Sequence, residues 1–384
     1  MGDCILIEKR QPRPAPRLHT GAGSLDNLTQ IAAALGSGSV WLVTDPGLMG
    51  HGYPERAQKI LESAGYRVIL ISDVQENPDS LTVRRLADRL LADGPSLIVA
   101  LGGGSALDTA KASNLLAFSG GQMVDYRGYG KAKGNLLPMV GIPTTTGTGS
   151  EAQSYAVIEE RQSHLKMACG DPQLLFHTVI LDPELAASQP RRVAAVSGLD
   201  AITHALESHV TTRKSPLSHM YSLEAWKHLV PAFPKMLEEK PDLDTVASMQ
   251  WGAYLAGAAI EQSMLGACHA SANPLTAHYG LVHGLAVSLT MPGVLRFNSS
   301  VADGAYSSLA KLAGLPGIRP ADELAGMIER FSASAGLETR LRDCGVNEGI
   351  FPILAEEAFD QWTGKFNPRP VSEVDFIQIY KSVY

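Results

Sequence analysis

The sequence lacks the features that mark several protein classes. Its 384 residues include only four cysteines, and no Cys-x-x-Cys pair occurs, which argues against a zinc ribbon or a disulfide scaffold. No apolar run approaches the roughly 20 residues that cross a bilayer, so we expect no membrane partner. The 32 lysines and arginines are outnumbered by 39 acidic residues, and a net charge of -7 gives no general attraction for nucleic acid.

The composition that remains is typical of a compact globular chain. Apolar residues make up 45% and charged residues 18%, and the length suffices for two domains. The first residues, MGDCILIEKRQPRPAP, contain an early acid and no long apolar core, so they do not resemble a secretory signal. Scattered cysteines are interpreted as reduced thiols, and we expect a cytoplasmic protein.

Strand and helix patterns alternate in the first half of the chain. Five short apolar runs, each ended by glycine, proline or a polar turn, predict strands buried on both faces. The runs cover residues 40–43, 67–71, 96–101, 139–142 and 179–181. Helical spacing over 53–64 and 80–92 indicates a parallel sheet covered by helices. Residues 155–158 and 165–168 predict an antiparallel hairpin beside that sheet.

Beyond about residue 188 the strand patterns fade. Alanine- and leucine-rich segments with helical spacing follow instead. They cover residues 192–210, 216–237, 243–262, 305–312 and 321–335. We therefore predict an α/β domain over residues 1–188 and an all-helical domain over residues 189–384, with the boundary near Pro190.

Three consecutive glycines follow the third predicted strand. Gly102, Gly103 and Gly104 lead into a predicted helix with Ser105 as its N-cap. Glycines let the backbone approach a pyrophosphate, and the free N–H groups of a helix start attract its charge. A strand–helix turn that binds nothing is the alternative. The segment matches neither the G-x-G-x-x-G fingerprint nor the P-loop.

Two further polar segments follow predicted strands. Residues 143–151, PTTTGTGSE, offer hydroxyls, glycines and N–H groups that suit phosphate and ribose contacts, although an ordinary polar loop also explains them. Asp45 follows the first apolar run. Its carboxylate could accept hydrogen bonds from an adenine ribose and repel a 2′-phosphate, and an Asx turn before Pro46 explains it equally well.

Acidic and histidine side chains suited to a divalent metal lie in the predicted helical domain. Asp200 and His204 are four residues apart and share one helix face. His269 and His283 would be about 21 Å apart on a straight helix, so the proline and the glycine between them must kink or break it. One aspartate and three histidines suit Fe²⁺ or Zn²⁺, and composition does not choose between them.

In this order, the motifs resemble those of the iron-containing alcohol dehydrogenase family over essentially the whole chain. They are GGGS at 102–105 with Asp108 and Lys111, PTTTGTGSE at 143–151, GLD at 198–200 with His204, and His269 followed by His283-Gly284. The resemblance implies an N-terminal α/β dinucleotide-binding domain and an all-helical C-terminal domain, an architecture shared with dehydroquinate synthase. It also implies an active site between the two, and a homodimer or larger homo-oligomer.

The resemblance assigns roles residue by residue. The metal, Fe²⁺ with Zn²⁺ left open, would be held by Asp200, His204, His269 and His283. The cofactor, NAD(H), would lie against Asp45, Asn77, Gly102, Gly103, Gly104, Ser105, Asp108, Thr144, Thr145, Gly147, Thr148, Lys166 and Leu181. Many members carry a substrate-facing histidine four residues after the third ligand. Asn273 stands there in this chain, and an amide takes up no proton at neutral pH.

We interpret the chain as a metal-dependent, NAD(H)-linked alcohol dehydrogenase or aldehyde reductase. A small alcohol, diol or aldehyde would be its substrate, the lactaldehyde and 1,2-propanediol type included. A lyase resembling dehydroquinate synthase would also use NAD and a metal, but it needs a cluster of lysine and arginine that the helical half does not show in sequence. A non-enzymatic binding protein of the same fold would have no need for the ligand residues and phosphate loops.

Overall fold

The computed structural model describes residues 14–161 and 166–384. Residues 1–13 of the N-terminal segment, which the sequence does not predict to be a secretory signal, and Leu165 of the predicted hairpin lie outside these ranges. Within them, no helix is long and apolar enough to cross a lipid bilayer.

The strands of the described residues are β1 Arg17–Thr20, β2 Ser39–Val43, β3 Arg67–Ile71, β4 Leu97–Gly102, β5 Gly128–Tyr129, β6 Met139–Pro143, β7 Tyr155–Glu159, β8 Lys166–Gly170 and β9 Thr178–Leu181. Six of them form a parallel sheet in the order β1-β9-β6-β4-β2-β3, and the other three form a small sheet in the order β5-β8-β7. All five predicted apolar runs are strands of the large sheet, and the predicted hairpin is the antiparallel pair of β7 and β8.

Thirteen helices of the α type occur in the described ranges. They are α1 Leu28–Leu35, α2 Tyr53–Ser63, α3 Ser80–Asp93, α4 Gly104–Ser119, α5 Pro183–Ala186, α6 Arg191–Val210, α7 Pro216–Met236, α8 Leu243–Glu261, α9 Ala267–Tyr279, α10 His283–Leu312, α11 Pro320–Ser334, α12 Phe351–Asp360 and α13 Glu373–Ser382. The predicted α/β half and helical half are therefore both confirmed.

The core of the α/β half lies on β4, which is buried at every residue. Helices of βαβ crossovers cover both faces of a parallel sheet, so its central strands are apolar throughout. This explains why continuous apolar runs located the central strands. The sequence pattern missed β1, because RLHT has a single large apolar residue and the strand lies at the sheet edge beside β9.

The helical half is arranged around α6, which packs against α7, α8 and α10 and is buried along most of its length. The helices predicted for this half were incomplete, since α9, α12, α13 and the first half of α10 were not indicated. Helix α10 begins at His283, whereas the apolar pattern indicated only 305–312, because the first half of α10 is buried on all sides and shows no amphipathic period. Helix α9 was missed for the same reason.

The chain reverses direction between His269 and His283 at a glycine. Helix α9 continues through Pro274 and ends at Gly280, whose φ of 63° lies in the left-handed region that favours glycine. The predicted break between the two histidines is therefore confirmed at Gly280, whereas Pro274 lies within the helix and does not end it. Helix α10 begins three residues later, at His283.

The two halves meet through a close backbone contact of two glycines. A Cβ atom on Gly149, in the loop after β6, would lie 2.7 Å from the Cα of Gly257 in α8. A Cβ atom on Gly257 would meet the carbonyl oxygen of Gly149 in the same way. Side chains at either position would separate α8 from the loop.

We expect Gly257→Ala to destabilise the protein by about 1–3 kcal/mol, because the added methyl group forces α8 away from the loop after β6. Gly304→Ala in α10 is the matched control, since no atom lies within 4 Å of its Cβ position. In a helix the control change is neutral or stabilising by up to about 1 kcal/mol. Denaturant unfolding of both variants checks the contrast, and equal stabilities would contradict the contact.

Candidate active site

A cleft of about 1080 Å³ opens where β2, β3, β4 and β6 end, with α6, α9 and α10 on its other side. The carboxyl ends of parallel strands are the usual ligand site of such sheets. Of the residues predicted around the cofactor and the metal, all but three line this cleft.

The three exceptions lie behind the cleft wall. Gly102 ends β4, where a Cβ would lie 2.7 Å from that of Ala106, and Gly147 packs against Ser197 of α6. Leu181 ends β9 and its side chain is buried in the core.

The glycine turn, residues 102–104, and the threonine loop, residues 144–149, pack against each other. A Cβ on Gly103 would lie 3.3 Å from Thr145, and a Cβ on Gly104 would lie 2.9 Å from Thr148. The N–H of Thr144 also donates to the carbonyl of Gly102 at 3.1 Å. The small size of glycine therefore lets the two loops form one continuous wall.

The N-cap prediction for Ser105 was wrong. Helix α4 begins at Gly104 with Gly103 as its N-cap, and no side chain caps it. Because Ser105 lies in the first turn, its Oγ accepts a hydrogen bond from the N–H of Asn77 at 3.3 Å. The N–H groups at the start of α4 are left free of side-chain caps, as anion binding at a helix terminus requires.

Asp45 lies beside the glycine turn, in the segment after β2. Its Oδ2 is 3.0 Å from the Cβ position of Gly102, so a side chain there would displace the carboxylate. Burial raises the pKa of Asp45, and hydrogen bonds from the N–H groups of Leu48 and Gly47 oppose that rise. The carboxylate borders the cleft, where it can meet the hydroxyls of a ribose.

Asn77 and Lys166 meet across the cleft. Asn77 has a φ of 51°, a left-handed conformation that asparagine tolerates better than most residues. Its Oδ1 accepts a hydrogen bond from the Nζ of Lys166 at 3.3 Å. Burial lowers the pKa of Lys166, while the negative charges of Glu159 and Asp200 act in the opposite direction.

A buried lysine that the sequence patterns left without a role anchors the threonine loop. Lys111 of α4 is fully buried, and its ammonium group donates to three carbonyl oxygens that follow the loop. These belong to Ser150, Gln153 and Tyr155, at 2.6, 2.6 and 2.9 Å. All three donors of the ammonium group are thereby used, so Lys111 ties the loop to α4.

The metal-suited residues converge from three helices. Asp200 and His204 lie on α6, His269 on α9 and His283 at the start of α10. One ligand atom from each of Asp200, His269 and His283 lies within 4.8 Å of the other two. The Nε2 of His204 is 3.3 Å from Oδ1 of Asp200, and its ring stacks on His269 at a centroid distance of 4.8 Å.

Unpaired buried atoms show that this cluster suits a cation. Oδ1 of Asp200 and Nε2 of His269 are buried without a hydrogen-bond partner, whereas the unpaired ring nitrogen of His204 and of His283 is Nδ1, not the Nε2 that lies near Oδ1. Oδ1 lies 3.3, 3.4 and 3.9 Å from the Nε2 atoms of His204, His269 and His283. Ligands at about 2.1 Å around a tetrahedral ion are separated by roughly 3.4 Å, and an O/N donor set suits Fe²⁺ or Zn²⁺.

The charges of the cluster are strongly coupled. Burial alone would raise the pKa of Asp200, but the neighbouring imidazoles hold it well below its usual range. Burial lowers the pKa of His204 to about 4, against the opposing effect of Asp200. Burial and the ammonium group of Lys166 lower the pKa of His283 well below its ordinary value.

Glu207 is a functional candidate that the sequence analysis missed. Its Oε2 accepts a hydrogen bond from Nδ1 of His269 at 2.6 Å, and its Oε1 accepts one from the N–H of Cys268 at 2.7 Å. Although burial alone would lower the pKa of His269, the nearby carboxylate of Asp200 and the hydrogen bond to Glu207 raise it to about 9. Glu207 thereby directs Nε2 of His269 toward Asp200, as carboxylates behind metal-binding histidines do. The available signal was its position seven residues after Asp200, on the same helix face.

Asn273 lies one turn after His269 on α9 and lines the cleft. Its Nδ2 donates a hydrogen bond to Oε1 of Gln361 at 3.1 Å, and Gln361 also lines the cleft. The structure thus places Asn273 beside the metal-suited cluster, where it holds a second amide instead of a titratable group.

Comparisons with known proteins agree along the chain. Residues 15–183 match the family model described as iron-containing alcohol dehydrogenase, and residues 194–384 match that of the Fe-containing alcohol dehydrogenase family, C-terminal. The NAD-dependent methanol dehydrogenase of Bacillus methanolicus is 30% identical, over 94% of this chain and 96% of its own length.

Solved structures agree as well. A 1,3-propanediol oxidoreductase matches with a TM-score of 0.93 at 27% identity, covering 98% of this chain and 100% of its own. A sulfoacetaldehyde reductase from Bifidobacterium kashiwanohense, in complex with NAD⁺, matches with a TM-score of 0.86 at 26% identity, covering 98% of each chain. From both halves of its sequence and from its fold, the chain belongs to the iron-containing alcohol dehydrogenase family.

Proposed function

We propose that this NAD-dependent alcohol dehydrogenase interconverts a small alcohol or diol and its aldehyde, with the 1,2-propanediol and lactaldehyde type among the candidates. The observation that carries the proposal is one shared cleft. It is lined both by the glycine and threonine loops and by the cluster of Asp200, His269 and His283. The names of the three relatives also point to small substrates, namely methanol, 1,3-propanediol and sulfoacetaldehyde. The family match disfavours a lyase resembling dehydroquinate synthase.

We infer that Asp200, His204, His269 and His283 hold the metal, with Glu207 fixing the ring of His269. The unpaired atoms and spacing of the cluster support this. When bound, the divalent ion supplies Lewis-acid polarisation of the substrate oxygen, and NAD(H) supplies or accepts the hydride. The chain's own residues bind and orient these groups.

For the cofactor, we infer that the start of α4 and the threonine loop hold the pyrophosphate, with Asp45 at the adenine ribose. The uncapped start of α4 and its closeness to the threonine loop support this, because free N–H groups and hydroxyls bind phosphate oxygens. Asn77, Asp108 and Lys166 line the same cleft.

For the proton, we infer a route through water or a ribose hydroxyl of the cofactor. Asn273 carries no titratable proton, and its amide group is bonded to Gln361. The side chain therefore orients the cleft wall and does not exchange a proton with the substrate.

We also propose a domain boundary near residue 188, supported by the start of the first long buried helix at Arg191. A cytoplasmic location fits the free state of Cys169, Cys268 and Cys344. A homodimer or larger homo-oligomer is proposed from the family resemblance.

Metal retention tests the proposed ligands. We expect about one divalent ion per chain, and His269→Ala to lose most of it, because a ligand and the partner of Glu207 disappear together. Glu207→Gln should keep the ion but weaken its binding by about tenfold to a hundredfold. Metal content after dialysis against graded chelator, measured by mass spectrometry, gives the answer without an activity assay.

The control for this series is His278→Ala. His278 lies on the same helix as His269, but it pairs with Glu357 outside the cluster. Full occupancy in His269→Ala, or equal loss in His278→Ala, would contradict the ligand assignment.

Cofactor preference tests Asp45. We expect wild type to prefer NADH over NADPH, and Asp45→Gly to narrow or reverse the preference by about tenfold or more, because the repulsion of a 2′-phosphate is removed. The control is Asp73→Gly, which removes another carboxylate that borders the cleft but is paired with Arg85 at 2.6 Å. The preference is measured as the ratio of the dissociation constants for NADH and NADPH in wild type and both variants. A wild-type preference for NADPH, or a shift in the control alone, would show that Asp45 does not face the ribose.

The pH dependence of turnover tests Asn273. We expect Asn273→Ala to change KM but not the shape of kcat/KM against pH, because the amide has no proton to exchange. Asn273→His should add an ionisation near the ordinary histidine pKa of about 6.5. Complete loss of turnover in Asn273→Ala, with metal and NAD still bound, would instead give the amide a direct part in the chemistry.

A further inference from the structure

A second cavity of about 460 Å³ adjoins the cleft. Three cationic side chains line it, those of Arg127, Lys166 and Arg213. Within the part of the chain that the structure describes, no carboxylate is among its lining residues. A cavity lined by cationic side chains offers a favourable site for an anionic group.

The second cavity and the cleft share a wall. Five residues line both, namely Tyr155, Lys166, Ala168, Gln361 and Trp362. Lys166 lines the cleft together with all four residues of the metal-suited cluster. Gln361 is held by Asn273 at 3.1 Å. A molecule with one end at the cluster can therefore pass Lys166 and Gln361 and have its other end in the second cavity.

Aromatic rings form the remaining walls. The ring of Tyr155 lies 5.4 Å from that of Tyr129 and 5.8 Å from that of Trp362, between ring centroids. The guanidinium of Arg213 lies over the ring of Phe366 at 5.5 Å. Such rings suit a short hydrocarbon spacer, and a guanidinium group binds carboxylate, sulfonate or phosphate oxygens in pairs. An aromatic cage for a cationic ligand would not be lined by three cations.

We propose that the second cavity is a subsite for an anionic group at the far end of the substrate, so that the enzyme acts on short aldehydes and alcohols with a terminal carboxylate, sulfonate or phosphate. This inference rests on the proposed dehydrogenase function and narrows its substrate class. The reaction itself is unchanged: one hydride from NADH and one proton convert the aldehyde into the alcohol, and NAD⁺ is released. The anionic group is bound and is not altered.

Two aldehydes of equal length and different charge test the subsite. The probes are 4-oxobutanoate and 4-oxobutanamide, compared by kcat/KM with NADH on the metal-loaded protein. We expect wild type to prefer the carboxylate by about tenfold or more, the effect of one charge-assisted hydrogen bond.

Substitutions then test which side chains cause the preference for the carboxylate. Arg127→Gln and Arg213→Gln should each lower kcat/KM for 4-oxobutanoate by about tenfold, while the value for the amide stays within about twofold. Arg213→Lys should recover part of the loss, because the charge returns without the paired donors. Arg342→Gln is the control, since it removes the same charge from an exposed position that lines neither cavity.

A binding measurement keeps the subsite separate from turnover. Calorimetric titration of the NADH-bound protein, which cannot oxidise an alcohol, with 4-hydroxybutanoate and 4-hydroxybutanamide should show tighter binding of the carboxylate, and both arginine variants should remove the difference. Equal affinity for the two ligands, or an equal loss in Arg342→Gln, overturns the subsite while the dehydrogenase function stands. If the loaded protein turns over neither these aldehydes nor small neutral alcohols, the proposed function fails, and the calorimetric comparison still decides the subsite.

Discussion

The carboxylate of Asp200 is buried in the interior of α6, within 3.3–3.9 Å of imidazole nitrogens from three helices. A buried charge of this kind is tolerated only when opposite charges or a metal surround it. The arrangement of α6, α9 and α10 meets that requirement, because each helix brings a histidine to the same point. Glu207, seven residues after Asp200 on α6, adds a second carboxylate and accepts a hydrogen bond from His269. The helical half is thus organised around a polar centre as well as an apolar core.

The dinucleotide side of the cleft depends on close packing of backbone. Glycines at 102–104 lie against Asp45 and the threonine loop, and Gly149 of that loop lies against Gly257 of α8. Lys111 ties the end of the loop to α4 through three carbonyl oxygens. The loops that are proposed to bind the cofactor therefore pack against α4 on one side and α8 on the other. Their geometry is set before any ligand binds, which lowers the cost of ordering them on binding.

Local signals located much of this structure. Continuous apolar runs that end in glycine or proline predicted the central strands, and the spacing of Asp200 and His204 predicted a shared helix face. Features that depend on tertiary burial were missed: the first half of α10 shows no amphipathic period, and Ser105 lost the capping position because the helix begins at Gly104. The cationic cavity was missed because Arg127 and Lys166 come from the α/β half and Arg213 from the connection after α6. No window of sequence contains all three.

The hydrogen bond between Asn273 and Gln361 has a consequence for substrate length. Gln361 borders both the cleft and the second cavity. Its Oε1 accepts a hydrogen bond at 3.1 Å from Nδ2 of Asn273, which lies on the side of the metal-suited cluster. Two amides thus form a fixed spacer between the place where an aldehyde reacts and the place where an anion binds. A molecule with too few methylene groups would reach only one of the two, and one with too many would have to bend against Trp362. The protein would then select its substrate by chain length as well as by charge.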